Sequence, residues 1–168
     1  ECKPAHLEFR HIELLKKVGC NRISIGIQDF RNDVLDAINR KPSKHPLSKI
    51  LKKIKDEGFT GTNIDLVYGL PLQTVESFKK TVEMAIELNT ERIVTFSYAH
   101  VPSILPRQKI LENIGFPSSK EKALMYENSY ELFMKAGYVS IGMDHFSKPG
   151  DEFDIALQNK QLHRNFQG

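Results

Sequence analysis

Four short stretches of this chain alternate branched or aromatic residues with small or polar ones, and that two-residue period allows few architectures. In residues 22–28, Ile23, Ile25 and Ile27 share one face, and Ser24, Gly26 and Gln28 the other. Residues 63–68 set Ile64, Leu66 and Tyr68 against Asn63 and Asp65. Residues 92–99 set Val94, Phe96 and Tyr98 against Thr95, Ser97 and Ala99, and residues 139–144 set Val139, Ile141 and Met143 against Ser140, Gly142 and Asp144. The apolar faces are expected to pack on helices. A closed barrel ordinarily fills its interior with Val, Ile and Leu, so inner faces of Ser, Gly, Asn, Asp and Gln predict a wide α/β barrel whose cavity holds a polar ligand.

A helical pattern precedes each strand. Residues 5–18 carry Leu7, Ile12, Leu15 and Val18 and stop at Gly19; residues 46–57 carry Leu47, Ile50, Leu51 and Ile54 and stop at Gly58. A third helix starts near Thr74 as N-cap and runs through Val75, Phe78, Val82 and Ile86, and Ser118 with Glu121 makes a capping box for a fourth ending at Gly137. Helices alternating with strands predict a parallel sheet, as a barrel or as an open doubly wound sheet. Four strands cannot close an eight-stranded barrel, so either the sheet is an open half barrel or further strands precede Glu1. The chain begins without Met, which reads as a cut through something larger. Residues 1–146 are expected to form this barrel part, and residues 147–168 an extension over the barrel mouth.

Composition narrows the class. A 40% apolar content in 168 residues suits one domain with a real core. No stretch has the roughly 18 apolar residues of a membrane span, and no signal peptide is apparent, so a cytoplasmic protein without membrane contact is expected. The net charge of +3 comes from scattered lysines rather than a stripe, which gives nucleic acid binding little support. Cys2 and Cys20 are too few for a disulfide framework and have no close pairing that would bind zinc.

Ligands of parallel α/β folds bind beyond the carboxyl ends of the strands. The residues there are Gln28 and Asp29, Tyr68 to Pro71, Ala99 to Pro102, and Asp144 to Phe146. Gln28 is either a strand-end polar group satisfied by backbone or a ligand contact. Asp65, a carboxylate within an otherwise apolar strand, must find donors: a lysine or arginine on an adjacent strand, or ligand hydroxyls or an amine. Arg40 follows the short amphipathic stretch Val34, Leu35 and Ile38, where position alone makes it a solvated surface residue. His100, His145 and Asp144 lack metal-ligand spacing and read as hydrogen-bonded histidines rather than a metal site. No Gly-x-Gly-x-x-Gly or Walker loop is present.

Taken together, Asn21 to Phe30 (NRISIGIQDF), Asn63 to Thr74 (NIDLVYGLPLQT), Tyr98 to Pro102 (YAHVP), Gly142 to Phe146 (GMDHF) and the closing Leu162 to Gly168 (LHRNFQG) resemble the oxygen-independent coproporphyrinogen III oxidases. The first two motifs are shared with related heme chaperones and mark the wider group of radical S-adenosylmethionine enzymes; the last three resemble the oxidase proper. The resemblance implies a partial (β/α)6 TIM-like barrel that holds a [4Fe-4S] cluster and S-adenosylmethionine. An electron from the cluster cleaves that cofactor to a 5'-deoxyadenosyl radical, which removes hydrogen from a propionate side chain. Loss of CO2 and an electron then leaves a vinyl group, and two such events convert coproporphyrinogen III to protoporphyrinogen IX in heme synthesis.

By the same resemblance, Glu1, Gln28, Arg40, Asp65 and Ala99 fall where the family contacts S-adenosylmethionine, and Gln167 near the substrate side. Arg40 is suited to fork onto the methionine carboxylate, Glu1, Gln28 and Asp65 to meet ribose hydroxyls and the amine, and Ala99 to present backbone to the adenine. Arg107, Lys109 and Arg164 are candidates for the propionates on charge alone. The implied full-length enzyme is cytoplasmic and monomeric and takes electrons from a separate donor. The family holds its cluster with Cys-x-x-x-Cys-x-x-Cys, and this sequence lacks that motif. The chain by itself is therefore expected to bind neither cluster nor cofactor and to be inactive.

Overall fold

Three of the alternating stretches form neighbouring parallel strands: β1 (Arg22–Gln28), β2 (Gly61–Tyr68) and β3 (Arg92–Ser97). The computed structural model describes residues 1–163. Five helices run over the sheet's outer side or its loops: α1 (Phe9–Lys17), α2 (Asn32–Ala37), α3 (Leu47–Asp56), α4 (Val75–Glu87) and α5 (Ser119–Lys135). Their ends follow local chemistry. Thr74 and Ser77 cap α4 reciprocally, Ser118 and Glu121 do the same for α5, and Gly19, Gly58 and Gly137 stop helices at positive φ.

The core lies between strands and helices. Ile25, Ile64, Leu66 and Ile93 from the sheet meet Ile12 of α1, Ile50 and Ile54 of α3, Phe78, Val82 and Ala85 of α4, and Met125 and Phe133 of α5, all buried. The expected inner faces of β1 and β2 are correct, because Ser24, Asn63 and Asp65 converge by hydrogen bonds on the side away from this core.

On β3 the expected faces are inverted. Asp65 is paired with Val94, and Ile64 with Ile93, so Val94 and Phe96 share the polar inner face while Ile93 and the fully buried Thr95 face the helices. Ile141 likewise lines an inner cavity with Ser24, Asn63 and Val94. The chain also turns earlier than expected at its last strand. Strand β4 (Val139–Gly142) ends before the Met143–Asp144 turn, and β5 (His145–Ser147) runs back antiparallel between β3 and β4. The sheet order is β1-β2-β3-β5-β4.

Residues 147–163 do not cover the end where the strands point their carboxyl termini. Helix α6 (Glu152–Gln158) sits at the opposite end, because Arg92, the first residue of β3, donates to Asp151 at 2.9 Å and to Glu152 at 2.6 Å and stacks on Phe153 at 3.8 Å. Arg22, the first residue of β1, pairs with the same Glu152. At the other edge of the sheet, Cys2 makes a parallel bridge to β1, donating to Ser24 O at 2.7 Å and accepting from Gly26 N at 3.0 Å. Glu1 is thereby placed beside β1.

Candidate functional site

Gly26 is the focus of the site. It stands on the inner face of β1 opposite Asp65. A Cβ at Gly26 would lie 2.6 Å from Gln28 Nε2, 3.4 Å from an Arg40 guanidinium nitrogen and 3.6 Å from Glu1 Oε1. Glu1, Gln28, Arg40 and Asp65, far apart from one another in sequence, thus gather an amide, a guanidinium and two carboxylates about the position of β1 that lacks a side chain.

Each is held by its local structure. Between Gly26 and Gln28 the β1–β2 register slips, and Gln28 takes φ 70°, a left-handed conformation that a non-glycine residue adopts at a cost of roughly 1–2 kcal/mol. The slip keeps its buried side chain at Gly26. Arg40 comes from the connection after α2 and donates to Gly26 O at 3.1 Å, so it is tied to the strand rather than solvated as its position suggested.

Among the described residues no cation forms an ion pair with Asp65. It accepts from Ser24 Oγ at 2.8 Å and from Asn63 Nδ2 at 2.6 Å, while Asn63 also donates to Ser24 Oγ at 2.9 Å. Burial pushes the Asp65 carboxyl above its ordinary range, against the opposing pull of these two neutral donors. Both donors of the Asn63 amide are therefore spent on Ser24 and Asp65, and its Oδ1 is buried with no partner among the described residues. Asn63 also lines an inner cavity of about 260 Å³ with Ser24, Val94 and His145. Gly26 and Arg40 border a second cavity of about 230 Å³, with Ala5, Phe30, Leu35 and Ser43.

Asp29 is a structural knot instead of a ligand. It is 1% exposed and accepts from Arg31 N at 2.8 Å, Gln73 Nε2 at 2.6 Å and Thr81 Oγ1 at 3.0 Å. Gln73 in turn bonds Leu70 N and Val67 O, so the ends of β1 and β2 are fastened to α4.

Ala99 lies two residues beyond the end of β3, apart from the Gly26 cluster, and is exposed. Its carbonyl accepts from Gln108 Nε2 at 3.0 Å. Next to it Tyr98, His100 and Phe116 stack, with ring centroids 4.6–6.2 Å apart. His100 pairs with Glu112 and His145 with Asp144. Among the described residues no three His, Cys, Asp or Glu side chains are grouped to hold a metal ion. Cys2 and Cys20 are free thiols, and burial raises the pKa of Cys2, which disfavours the thiolate a metal needs. Gln167, like Arg164, lies outside the described residues.

The pattern in the sequence pointed to Gln28 and Asp65 by face and to Glu1, Arg40 and Ala99 only by resemblance. It missed Gly26 as their meeting point and Gln108 as the partner of Ala99. The signal for Gly26 was its lack of a side chain on a polar inner face; nothing local marked Gln108.

Comparison with known proteins shows the family and the fold. Residues 1–85 match the Radical SAM superfamily. The oxygen-independent coproporphyrinogen III oxidases of Salmonella typhimurium and Escherichia coli K12 are each 40% identical over all 168 residues, which span 37% of their length. The solved structure of coproporphyrinogen III oxidase from Escherichia coli, described as a Radical SAM enzyme, superimposes with a TM-score of 0.93 at 40% identity, covering 99% of this chain and 38% of that one. An archaeal Elp3 from Methanocaldococcus infernus shares the fold alone, with a TM-score of 0.60 at 17% identity over 76% of this chain and 30% of its own. The chain spans little more than a third of these two curated relatives, and within that span the family match, the sequence identity and the superposition agree: it belongs to the radical SAM superfamily.

Proposed function

We propose that this chain forms the S-adenosylmethionine-contacting part of an oxygen-independent coproporphyrinogen III oxidase, which oxidatively decarboxylates two propionates of coproporphyrinogen III to vinyl groups and yields protoporphyrinogen IX. The observation that carries this reading is the convergence of Glu1, Gln28 and Arg40 on Gly26 opposite Asp65. These groups fit the cofactor's zwitterionic end. A guanidinium suits a carboxylate, the carboxylates of Glu1 and Asp65 suit an ammonium or ribose hydroxyls, and the Gln28 amide serves either.

When bound and reductively cleaved, S-adenosylmethionine supplies hydrogen-atom abstraction. This chain's own residues then bind and orient. Arg40, tied to Gly26 O, holds the carboxylate end against β1, and the missing side chain of Gly26 lets the Gln28 amide lie there beside it. Asp65, held by Ser24 and Asn63, accepts from a donor of the cofactor, and ionisation is favoured once a cationic or hydroxyl partner replaces lost water. Cys2 and Cys20 do not fit a [4Fe-4S] cluster, which takes at least three thiolates, so no step is assigned to a cluster on this chain. The electron donor, a monomeric state and a cytoplasmic location belong to the same proposal; no helix among the described residues is long and apolar enough to cross a membrane.

The test is an anaerobic assay of the full-length protein with reconstituted iron and sulfide, following S-adenosylmethionine-dependent CO2 release from coproporphyrinogen III. Release together with protoporphyrinogen supports the reading. A loaded protein that binds heme tightly and releases no CO2 overturns it in favour of a heme chaperone.

A further inference from the structure

Toward the carboxyl ends of the strands the inner face changes character. Gly26 stands opposite Asp65 and Asp65 opposite Val94, and two residues further along Val67 stands opposite Phe96. The first of these rows carries the amide, guanidinium and carboxylates of the Gly26 cluster at its β1–β2 end. The second is apolar. Val94 is 4% exposed, whereas Phe96, above it on the same face of β3, is 42% exposed. Phe96 is nonetheless held. The His145 ring meets it edge-on, with centroids 6.2 Å apart and planes at 88°. His145 Nδ1 donates to Asp144 Oδ1 at 2.9 Å, which orients that ring, and Thr95 N donates to Asp144 O at 2.9 Å, which ties the turn to β3. Tyr126 of α5 donates to Met143 O in the same turn at 2.6 Å. A large apolar side chain is thus propped open on the inner face, next to groups suited to a zwitterion.

We propose that Phe96 is a substrate-contact residue whose exposed ring takes a pyrrole ring of the porphyrinogen, and that His145 is the positioning residue that holds it there. The inference rests on the reading of this chain as part of a coproporphyrinogen III oxidase. The methionine end of S-adenosylmethionine offers charged groups, which the Gly26 cluster matches. A porphyrinogen instead presents electron-rich, largely apolar pyrrole rings, which need apolar area, and an aromatic side chain supplies it face-on or edge-on. The two surfaces adjoin: Phe96 is one strand over from Asp65 and two residues further along, roughly 7 Å in the strand direction. A pyrrole on Phe96 therefore lies beside the cofactor, as passage of a hydrogen atom between the two requires. Because Asp144 and His145 preset the Phe96 ring, little of it remains to be ordered on binding.

The experiment measures anaerobic equilibrium binding of two probes, coproporphyrinogen III and S-adenosylmethionine, to the full-length protein with its cluster reconstituted, and urea midpoints report folding of each variant. Phe96→Ala is expected to bind coproporphyrinogen III roughly tenfold more weakly and S-adenosylmethionine within about twofold of the parent, and Phe96→Leu to recover part of the loss. His145→Leu removes the ring that props Phe96 and should weaken coproporphyrinogen III roughly threefold, whereas His145→Phe, which keeps a ring there, should bind it within about twofold of the parent. A His145→Phe variant as weak as His145→Leu refutes the positioning role. Loss of S-adenosylmethionine affinity in Phe96→Ala makes Phe96 a cofactor contact and overturns the inference, and so does a Phe96→Ala variant that keeps both affinities but loses stability, which makes another part of the protein the occupant of that ring. A parent that binds S-adenosylmethionine and not coproporphyrinogen III removes the underlying reading together with the inference; a parent and a Phe96→Ala variant that bind coproporphyrinogen III equally refute only the role of Phe96.

Discussion

Replacing Gly26 by alanine adds a single methyl group where Glu1, Gln28 and Arg40 meet, and its effect follows from three distances. The new carbon stands 2.6 Å from Gln28 Nε2, about 0.8 Å inside the ordinary contact distance of 3.4 Å, whereas Arg40 at 3.4 Å and Glu1 at 3.6 Å need not move. Gly26 is not at positive φ, so the backbone itself accepts alanine. The amide of Gln28 must therefore give way. Gln28 is buried and pinned at φ 70°, which leaves its side chain to swing off its position. Overpacking of this kind costs about 1–3 kcal/mol, read as a lower urea midpoint with unchanged slope. A displaced Gln28 also loses its contact to a charged ligand group, worth about 1.5–3 kcal/mol, or roughly 10- to 100-fold in S-adenosylmethionine affinity measured by anaerobic calorimetry on the full-length protein. Gly26→Ala with Gln28→Ala should recover the stability but not the affinity. An alanine variant that binds within twofold of the parent would refute the side-chain cluster at Gly26 as the cofactor site.

Other substitutions probe the surroundings. Arg40→Ala should weaken cofactor binding at least tenfold in the same titration, and Arg40→Lys should not restore it, because a point charge cannot both hold Gly26 O and fork onto a carboxylate. Asp29→Ala leaves Gln73, Thr81 and the Arg31 N–H without their acceptor and should lower stability by about 2–4 kcal/mol in urea unfolding, with any activity loss following stability. Asp65 takes up its proton more readily folded than unfolded, so its contribution to stability is greatest at low pH and falls as pH rises above 3.8. Relative to Asp65→Asn, the unliganded parent should lose stability as pH rises above 3.8; a parallel pair of pH curves would contradict this. Glu8 behaves oppositely: hydrogen bonds from Lys44 and His45 hold it at about 2, so its contribution is present above 4.5 and lost as pH falls towards 2, a loss that Glu8→Gln should abolish.

What the sequence could and could not disclose depended on how unequal the two faces of each element were. On β1 the isoleucines share one face and small or polar residues the other, and on β2 Ile64 and Leu66 oppose Asn63 and Asp65, so both the strands and their orientation were readable. On β3 both faces carry apolar and polar residues. Thr95 is completely buried against helices and Phe96 is 42% exposed, so the larger side chain pointed the wrong way as a guide. Strand β5 has three residues, below the length at which periodicity means anything, and its turn places Met143 at φ 52° with no Asn-Gly or Asp-Gly to announce it. The partners of Asp65 were missed for a related reason. Neutral Ser and Asn donors on the same inner face satisfy it, and these were read as cavity lining rather than as its support. Arg40 and Glu1 owe their place to chain connections whose path no local pattern encodes.

The ion pairs at the foot of the sheet bear on how the chain reaches this arrangement. Arg22 meets Glu152 across 130 positions of sequence, and Arg92 meets Asp151 across 59. Closing so long a loop is entropically expensive before the intervening β-α units exist, so this fastening should form after the folding barrier has been crossed. Its loss would then leave the refolding rate nearly unchanged and speed unfolding instead. The last helix would act as a brake on opening, setting the lifetime of the assembled inner face rather than the speed at which it is made.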